Sequence, residues 1–269
     1  MSWDQYTLCW GSSGHAEGLG PPVTALAFAA ESEALYAGDA SGRLATYALG
    51  GAGLALAQLA AAQCAHTPVR RLAALAGGGG SGGGRVFVQT DDSVQVRTAG
   101  GRREFARATT PNDPFTAAAL SRAGSSDTAF VCTAAGAGSL LSLARGGDVV
   151  RRVAVEPSAV AADLAADALL LATAAGGLAL RDPRAAGFGV VASAARAFAA
   201  GHVTDMVRAD TRVFACGGSP DGGGSVVRLF DLRRLREPVA DLAREAGHHE
   251  PVRLFADDRL LWIGHESGL

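Results

Sequence analysis

Apolar positions along the chain fall in short runs, and the runs recur at a nearly constant spacing. They begin at Val23, Val69, Phe115, Val160, Val203 and Val252, at intervals of 46, 46, 45, 43 and 49 residues. Each is followed by a second apolar run, a turn of small residues and a third run. A period in the forties with several strands and glycine turns per unit is the signature of a β-propeller blade, not of a helical solenoid.

The first unit shows the pattern most fully. Val23–Phe28 predicts an inner strand and Ala34–Ala37 the next, followed by a turn at Gly38-Asp39-Ala40-Ser41-Gly42. Glycine suits such a turn because it adopts positive φ, and Asp or Ser satisfies donors that the strand ladder leaves open. Arg43–Leu49 predicts the third strand and Leu54–Leu59 the fourth. The fifth unit repeats the plan with Val203–Val207, Arg212–Cys216, a turn at Gly217-Gly218-Ser219 and Val226–Leu232. There Gly201 and His202 before a first strand, and Phe230 and Asp231 at the end of a third, match the Gly-His and Trp-Asp markers of a WD repeat, with Phe in place of Trp.

Alanine favours helix, and Ala159–Leu180 reads as helix by propensity alone. Its position in the period, flanked by glycine, predicts instead a strand pair with an acidic turn carrying Asp163 and Asp167. The run Gly77–Gly84 falls between a first and a second strand, where an inserted loop costs little closure entropy, so it reads as a blade loop and not as a domain boundary. Residues 1–20 read as an N-terminal extension and residues 21–269 as an incomplete propeller of about five and a half blades. The last residues, Leu261–Gly268, lie over Leu35–Gly42 with the same G-x-x-S-G spacing, so the expectation is a chain that stops inside its sixth blade. A blade face left in water would forfeit on the order of 10 kcal/mol, taking roughly 500 Å² of apolar surface at ~25 cal/mol/Å². The expectation is therefore that the chain is a fragment, or that something else closes the ring.

Composition adds exclusions. The 269 residues are 48% hydrophobic, which rules out disorder over most of the chain. Alanine (57) and glycine (36) make up about a third of it, and all 24 basic residues are arginine, a bias of coding more than of function. With a formal charge of −2, no global basic field attracts nucleic acid or a membrane. Cys9, Cys64, Cys132 and Cys216 lie 55, 68 and 84 residues apart, without metal-ligand spacing, and read as reduced, mostly buried thiols. The N-terminus lacks the basic start and apolar run of a signal peptide, and no uninterrupted apolar span follows. The expected location is cytosolic or nuclear.

Several ordered pieces resemble one family. They are Val23-Thr24-Ala25-Leu26 with Gly38–Arg43 and Tyr47; His66-Thr67-Pro68-Val69-Arg70; Asp92-Ser93-Val94 with Arg97 and Gly100-Gly101; Gly201–Met206; Cys216–Ser219; and Val226–Pro238. In this order and spacing, residues 22–240 resemble the N-terminal WD-repeat region of the catalytic subunit of the PAN poly(A)-nuclease deadenylation complex. After about Ala243 the sequence departs from that family and looks like a second copy of the first unit. The resemblance implies a seven-bladed propeller that scaffolds mRNA poly(A)-tail shortening. Its implied partners are a pseudokinase-like regulatory subunit and, indirectly, mRNA coated with poly(A)-binding protein. The implied location is the cytoplasm, including P-bodies, without membrane attachment. Two-metal nuclease chemistry needs a set of carboxylates around divalent ions. The resemblance assigns those to another domain, so no catalytic, cofactor-binding or metal residue is expected in this chain.

The residues expected to carry blade structure are Gly38, Asp39, Ser41, Gly42, His66, Asp92, Gly201, His202, Asp205, Phe230 and Asp231. Sharper readings are weaker. His248-His249-Glu250 and His265-Glu266 have no converging third ligand set, and His202 with Asp205 or Asp210 reads as a blade contact, not an acid/base pair. Asp92-Ser93 and Asp39-Ala40-Ser41 have no G-x-S-x-G elbow and read as turn chemistry. Gly217–Gly224 lacks the Lys-Ser/Thr of a phosphate loop. The arginine pairs Arg70-Arg71, Arg102-Arg103, Arg151-Arg152 and Arg233-Arg234 would grip phosphate only as clusters without opposing acids, and they read as a solvated rim. Few aromatics interleave with them, which argues against a single-strand stacking platform. Two rivals stand beside the deadenylase scaffold: an unrelated WD-repeat adaptor, and a propeller hydrolase with a central metal. The second needs several inward acids, which inner strands such as Val23–Phe28 do not supply.

Overall fold

The recurring apolar runs are strands, and their predicted starts are nearly all in place. The structure is a computed structural model that describes residues 21–29, 33–50, 55–75, 84–110, 112–121, 128–165, 168–198, 202–218, 224–246, 251–256 and 261–265. The predicted N-terminal extension, the body of the Gly77–Gly84 loop, Gly201, Ser219, Asp167, His248–Glu250 and Glu266–Leu269 lie outside these residues.

Five four-stranded antiparallel sheets and one two-stranded sheet follow one another along the described chain. The first holds β1 (Val23–Ala29), β2 (Ala34–Asp39), β3 (Arg43–Gly50) and β4 (Ala55–Gln63), and the second β5 (Val69–Leu75), β6 (Arg85–Thr90), β7 (Ser93–Thr98) and β8 (Arg103–Ala108). The third holds β9 (Phe115–Leu120), β10 (Thr128–Thr133), β11 (Ala137–Ser142) and β12 (Asp148–Ala154). The fourth holds β13 (Ala159–Leu164), β14 (Leu169–Thr173), β15 (Leu178–Arg181) and β16 (Val190–Ala194). The fifth holds β17 (Val203–Ala209), β18 (Arg212–Gly218), β19 (Gly224–Asp231) and β20 (Ala240–Ala246), and the two-stranded sheet β21 (Pro251–Ala256) and β22 (Leu261–His265). Strand order within each sheet follows the chain.

The described part of Ala159–Leu180 therefore forms strands β13 and β14 and most of β15 despite its alanines, because burial on both faces overrides helix propensity. The expected acidic turn is corrected at Asp163, which lies inside β13 and is 4% exposed. A second correction concerns Gly217 and Gly218, which belong to β18 and not to the turn after it. A β-carbon on Gly217 would overlap the carbonyl oxygen of His202 and the Phe198 ring, so glycine is used here for close approach inside a strand.

The sheets share irregularities at equivalent places. Between first and second strands the register shifts at Val23/Ala25, Val69/Arg71, Val203/Asp205 and Pro251/Arg253, with a corresponding shift at Cys132/Thr133 in the third sheet. Between third and fourth strands it shifts at Thr46/Tyr47, Val96/Arg97, Leu140/Leu141 and Val227/Arg228. Such bulges re-aim one side chain and increase local twist. At the first set Thr24 Oγ1 donates to Val69 O at 2.6 Å, and Thr204 Oγ1 lies 3.0 Å from Cys216 Sγ.

The described residues fall into two compact units, one holding residues 20–171 and 181–190, the other residues 172–180 and 191–269. In the first, apolar clusters lie between successive sheets. Successive residues of a central strand enter opposite clusters: Phe130 and Cys132 of β10 pack with Leu169, Leu171 and Phe188, while Ala129 and Val131 pack with Phe87, Val96 and Leu141. Val86 and Val88 of β6 join Tyr36, Leu44 and Val69, whereas Phe87 faces the other way. Burial on both faces explains why these strands read as continuous apolar runs and not as alternation. In the second unit, Val207, Phe214, Cys216 and Val227 pack with Leu254 of β21.

Candidate functional site

In the first four blades one end gathers the turn between second and third strands and the connection that leaves the fourth. The carbonyl oxygens of Gly42, Asp92, Gly136 and Gly176, all in the second-to-third turns, accept from the N–H groups of Cys64, Thr109, Val155 and Phe198 at 2.9, 2.9, 2.9 and 3.0 Å. Gly42, Gly136 and Gly176 have φ of 81, 86 and 80°, the left-handed conformation that glycine adopts without strain. The loops at this end are thus tied to the blades by backbone bonds that repeat from sheet to sheet.

The predicted turn residues sit here. Asp39 Oδ1 accepts from Ser41 N (2.8 Å), Ser41 Oγ (2.7 Å) and Arg43 N (3.0 Å), closing the first blade's turn. Gly38 belongs to β2 and not to the turn, and it has no room for a β-carbon, which would meet Val69 Cγ1 at 2.5 Å. Asp92 Oδ1 accepts from Thr90 Oγ1 (2.6 Å) and Thr67 Oγ1 (3.1 Å), and Ser93 Oγ sits 2.9 Å from both Thr90 Oγ1 and Gln95 Nε2. These serine–aspartate pairs make turn contacts. His66 is exposed and makes no hydrogen bond to any described residue. His202 contributes its backbone, its carbonyl accepting from Gly218 N at 3.1 Å.

Asp205 reaches beyond its own blade, accepting from Leu254 N of β21 at 2.8 Å. Phe230 is fully buried with its ring centroid 6.5 Å from that of Phe198, and Asp231 caps a one-turn 3-10 segment, Leu232–Arg234, by accepting from Arg233 N at 2.9 Å. Among the described residues no three His, Cys, Asp or Glu side chains converge as metal ligands. No helix among them is long and apolar enough to cross a membrane.

Three arginines, of which Arg97 and Arg228 fall in the family-like pieces, make contacts that the sequence did not foretell. Arg97, on the bulge of β7, is 7% exposed; its Nε donates to Gln95 Oε1 (2.9 Å), Nη1 to Gly101 O (2.7 Å) and Nη2 to Gln63 O at the end of β4 (3.1 Å). Arg181 of β15 reaches Glu156, just past β12, in a bidentate pair (2.7 and 3.1 Å), and also Phe188 O. Arg228, on the bulge of β19, reaches Ala197 O past β16 at 2.5 Å, pairs with Asp241 at 2.9 Å and stacks over Phe198 at 5.2 Å. Each third-strand arginine thus reaches back to the residues that end the preceding blade's fourth strand. The planar guanidinium suits this because several donors leave it in fixed directions. The available signal was an arginine inside an otherwise apolar third strand, as in Val94-Gln95-Val96-Arg97 and Leu178-Ala179-Leu180-Arg181.

Cys64 and Cys132 are unsuited to nucleophilic work. Burial pushes the Cys132 thiol from 9.0 up to about 11, and burial also raises Cys64 against the opposing pull of Arg97. Among rim arginines, Arg70 is held protonated above its ordinary range by its hydrogen bond to Asp91, at 2.7 Å.

An open groove of about 830 Å³ runs between the edge of β8 and the third sheet at this same end. Arg107–Thr110 and Asp113 form one wall; Thr133, Ala135–Ser139 and Arg152–Ala154 form the other. Phe115 is its sole aromatic and is buried.

Three solved structures share this architecture. The WD40 domain of Pan2 from Neurospora crassa superposes with a TM-score of 0.63 at 16% identity, over 83% of this chain and 65% of that one. Sqt1 from Saccharomyces cerevisiae gives 0.65 at 14%, over 83% and 61%, and the computationally designed protein Ika8 gives 0.64 at 18%, over 94% and 70%. The chain spans less than two thirds of the length of the first two. At these identities the likeness establishes the fold, a WD-repeat β-propeller. No protein-family model matches the sequence, and no curated protein matches it.

Proposed function

We propose that the chain is a non-catalytic interaction propeller, and that it serves as the scaffold part of a poly(A)-tail-shortening deadenylase subunit. The observation that carries the finer reading is the likeness to the Pan2 WD40 domain together with the ordered pieces over residues 22–240. In this reading the partner is the pseudokinase-like regulatory subunit, and mRNA coated with poly(A)-binding protein is engaged indirectly. Divalent metal belongs to a separate nuclease domain, and the location is the cytoplasm with its P-bodies. The turn-bound Asp39, Asp92 and Ser93 and the protonated Cys132 support a binding role over hydrolysis. A second reading, an unrelated WD-repeat adaptor, draws support from the similar scores of Sqt1 and Ika8.

The test is calorimetric titration of the purified chain with the regulatory subunit from the same organism, and with poly(A) alone. Binding of the subunit with no salt-sensitive poly(A) affinity is expected. No heat with the subunit would remove the deadenylase reading and leave the adaptor.

A further inference from the structure

The groove between β8 and the third sheet carries two arginines whose orientation follows from strand alternation. On β8, Phe105 packs over Gly147 of the third sheet, so Arg107, two residues on, shares the face turned towards that sheet. On β12, Arg151 stacks on Phe188 at 5.8 Å and donates to Pro183 O and Ala185 O, which commits it to the fourth-sheet side. Its neighbour Arg152 therefore points the opposite way, into the groove. The Arg151-Arg152 pair is thus split between a structural cation and a groove cation.

Neither the Arg107 nor the Arg152 guanidinium makes an ion pair or hydrogen bond with any described residue. The one acid in the lining, Asp113, has its Oδ1 engaged by the N–H of Ala135 at 2.8 Å. Thr110 and Ser139 add hydroxyls to the walls, while Ala135, Ala137 and Ala154 are small and exposed and leave the trough open. Its volume of about 830 Å³ falls in the range of about 300–1,000 Å³ typical of ligand sites.

We infer that this groove binds an extended acidic peptide segment of a partner protein, with Arg107 and Arg152 holding its carboxylates. This deepens the interaction-propeller reading and rests on it. Charge complementarity favours an anion. The absence of an exposed aromatic in the lining favours a peptide over single-stranded RNA, whose bases need stacking platforms.

The experiment is fluorescence anisotropy of the full chain with three labelled probes at low salt: an oligoglutamate peptide, a glutamine–glycine peptide of equal length, and oligo(A). The oligoglutamate peptide is expected to bind, weakening with added salt, and the neutral peptide is not. R107E/R152E is expected to weaken binding about tenfold or more, whereas R233E/R234E, on exposed arginines elsewhere, changes it less than about twofold. A137W, which fills the groove from an exposed position, is expected to weaken it similarly, with circular dichroism checking the fold of each variant. Absent oligoglutamate binding, or binding indifferent to both groove variants, overturns the proposal. Tighter oligo(A) binding lost in the same variants would also overturn it, as an RNA site. If R107E/R152E still binds the regulatory subunit while wild type ignores oligoglutamate, the groove proposal falls and the scaffold reading stands. Peptide binding without subunit binding has the converse meaning.

Discussion

Replacing Arg97 separates geometry from charge. Its three hydrogen bonds, of 2.7, 2.9 and 3.1 Å, go to acceptors spread around a planar fork, one of them at the end of the first sheet. R97K keeps the charge, but a single ammonium on a flexible stem reaches one of those acceptors well. Two charged hydrogen bonds are then lost in a site 7% exposed; at about 1.5 kcal/mol each this costs about 3 kcal/mol. R97M leaves all three acceptors unfilled but removes the desolvated cation, a relief of several kcal/mol that offsets most of the loss, so about 1–2 kcal/mol is expected. The charge-conserving variant should therefore be the less stable of the two. Urea unfolding followed by circular dichroism measures this, with midpoints shifting at constant slope and R102K, on an exposed arginine, as a control expected within about 0.5 kcal/mol of wild type. If R97K unfolds within about 0.5 kcal/mol of wild type, or R97M is the less stable, the guanidinium fork is not what ties the first two blades.

Other expectations are independent of this one. Because the folded Cys132 thiol titrates near 11 against 9.0, its contribution to stability is complete below about pH 9 and fades as pH rises through 11; C132A should flatten that decline, and at pH 8 Cys132 should react with a thiol reagent only after unfolding. G217A places a methyl group against the His202 carbonyl and the Phe198 ring, and should lower stability by about 1–3 kcal/mol in thermal or urea unfolding. R151A should cost about 1 kcal/mol through the lost stacking on Phe188, while R152A should stay within about 0.5 kcal/mol; equal effects would contradict the opposed orientation of the pair.

The blade pattern was legible because the second strand of each four-stranded sheet is buried along most of its length. Val23, Val69, Phe115 and Val203 begin strands where the apolar runs predict, and Val160 and Val252 miss by one residue. The contacts of Asp39 with Ser41 and Arg43 follow from nearest neighbours in a tight turn, whereas the need for glycine at Gly38 comes from Val69, 31 residues away. The arginine contacts and the groove were not legible. Arg97 and Arg228 lie on bulges that break strict alternation, and Arg107 and Arg152 stand 45 residues apart and meet only through the packing of two sheets. Asp205 was read within its own blade because nothing local signals its bond to Leu254.

The arginine contacts also bear on how much sequence can drift. Two of the three acceptors of Arg97 are main-chain carbonyls, those of Gln63 and Gly101, and Arg228 reaches the carbonyl of Ala197. A carbonyl is present whatever side chain occupies the position, so the receiving segments carry little of the recognition code. For these carbonyl contacts the instruction is written on the arginine's side, whereas Arg181 is met by the Glu156 carboxylate and Arg228 also by the Phe198 ring. Substitutions at Gln63 and Ala197 leave those two carbonyl acceptors in place. A fold joined in this way can keep its architecture at 14–18% identity to its structural neighbours, while sequence comparison alone loses the thread.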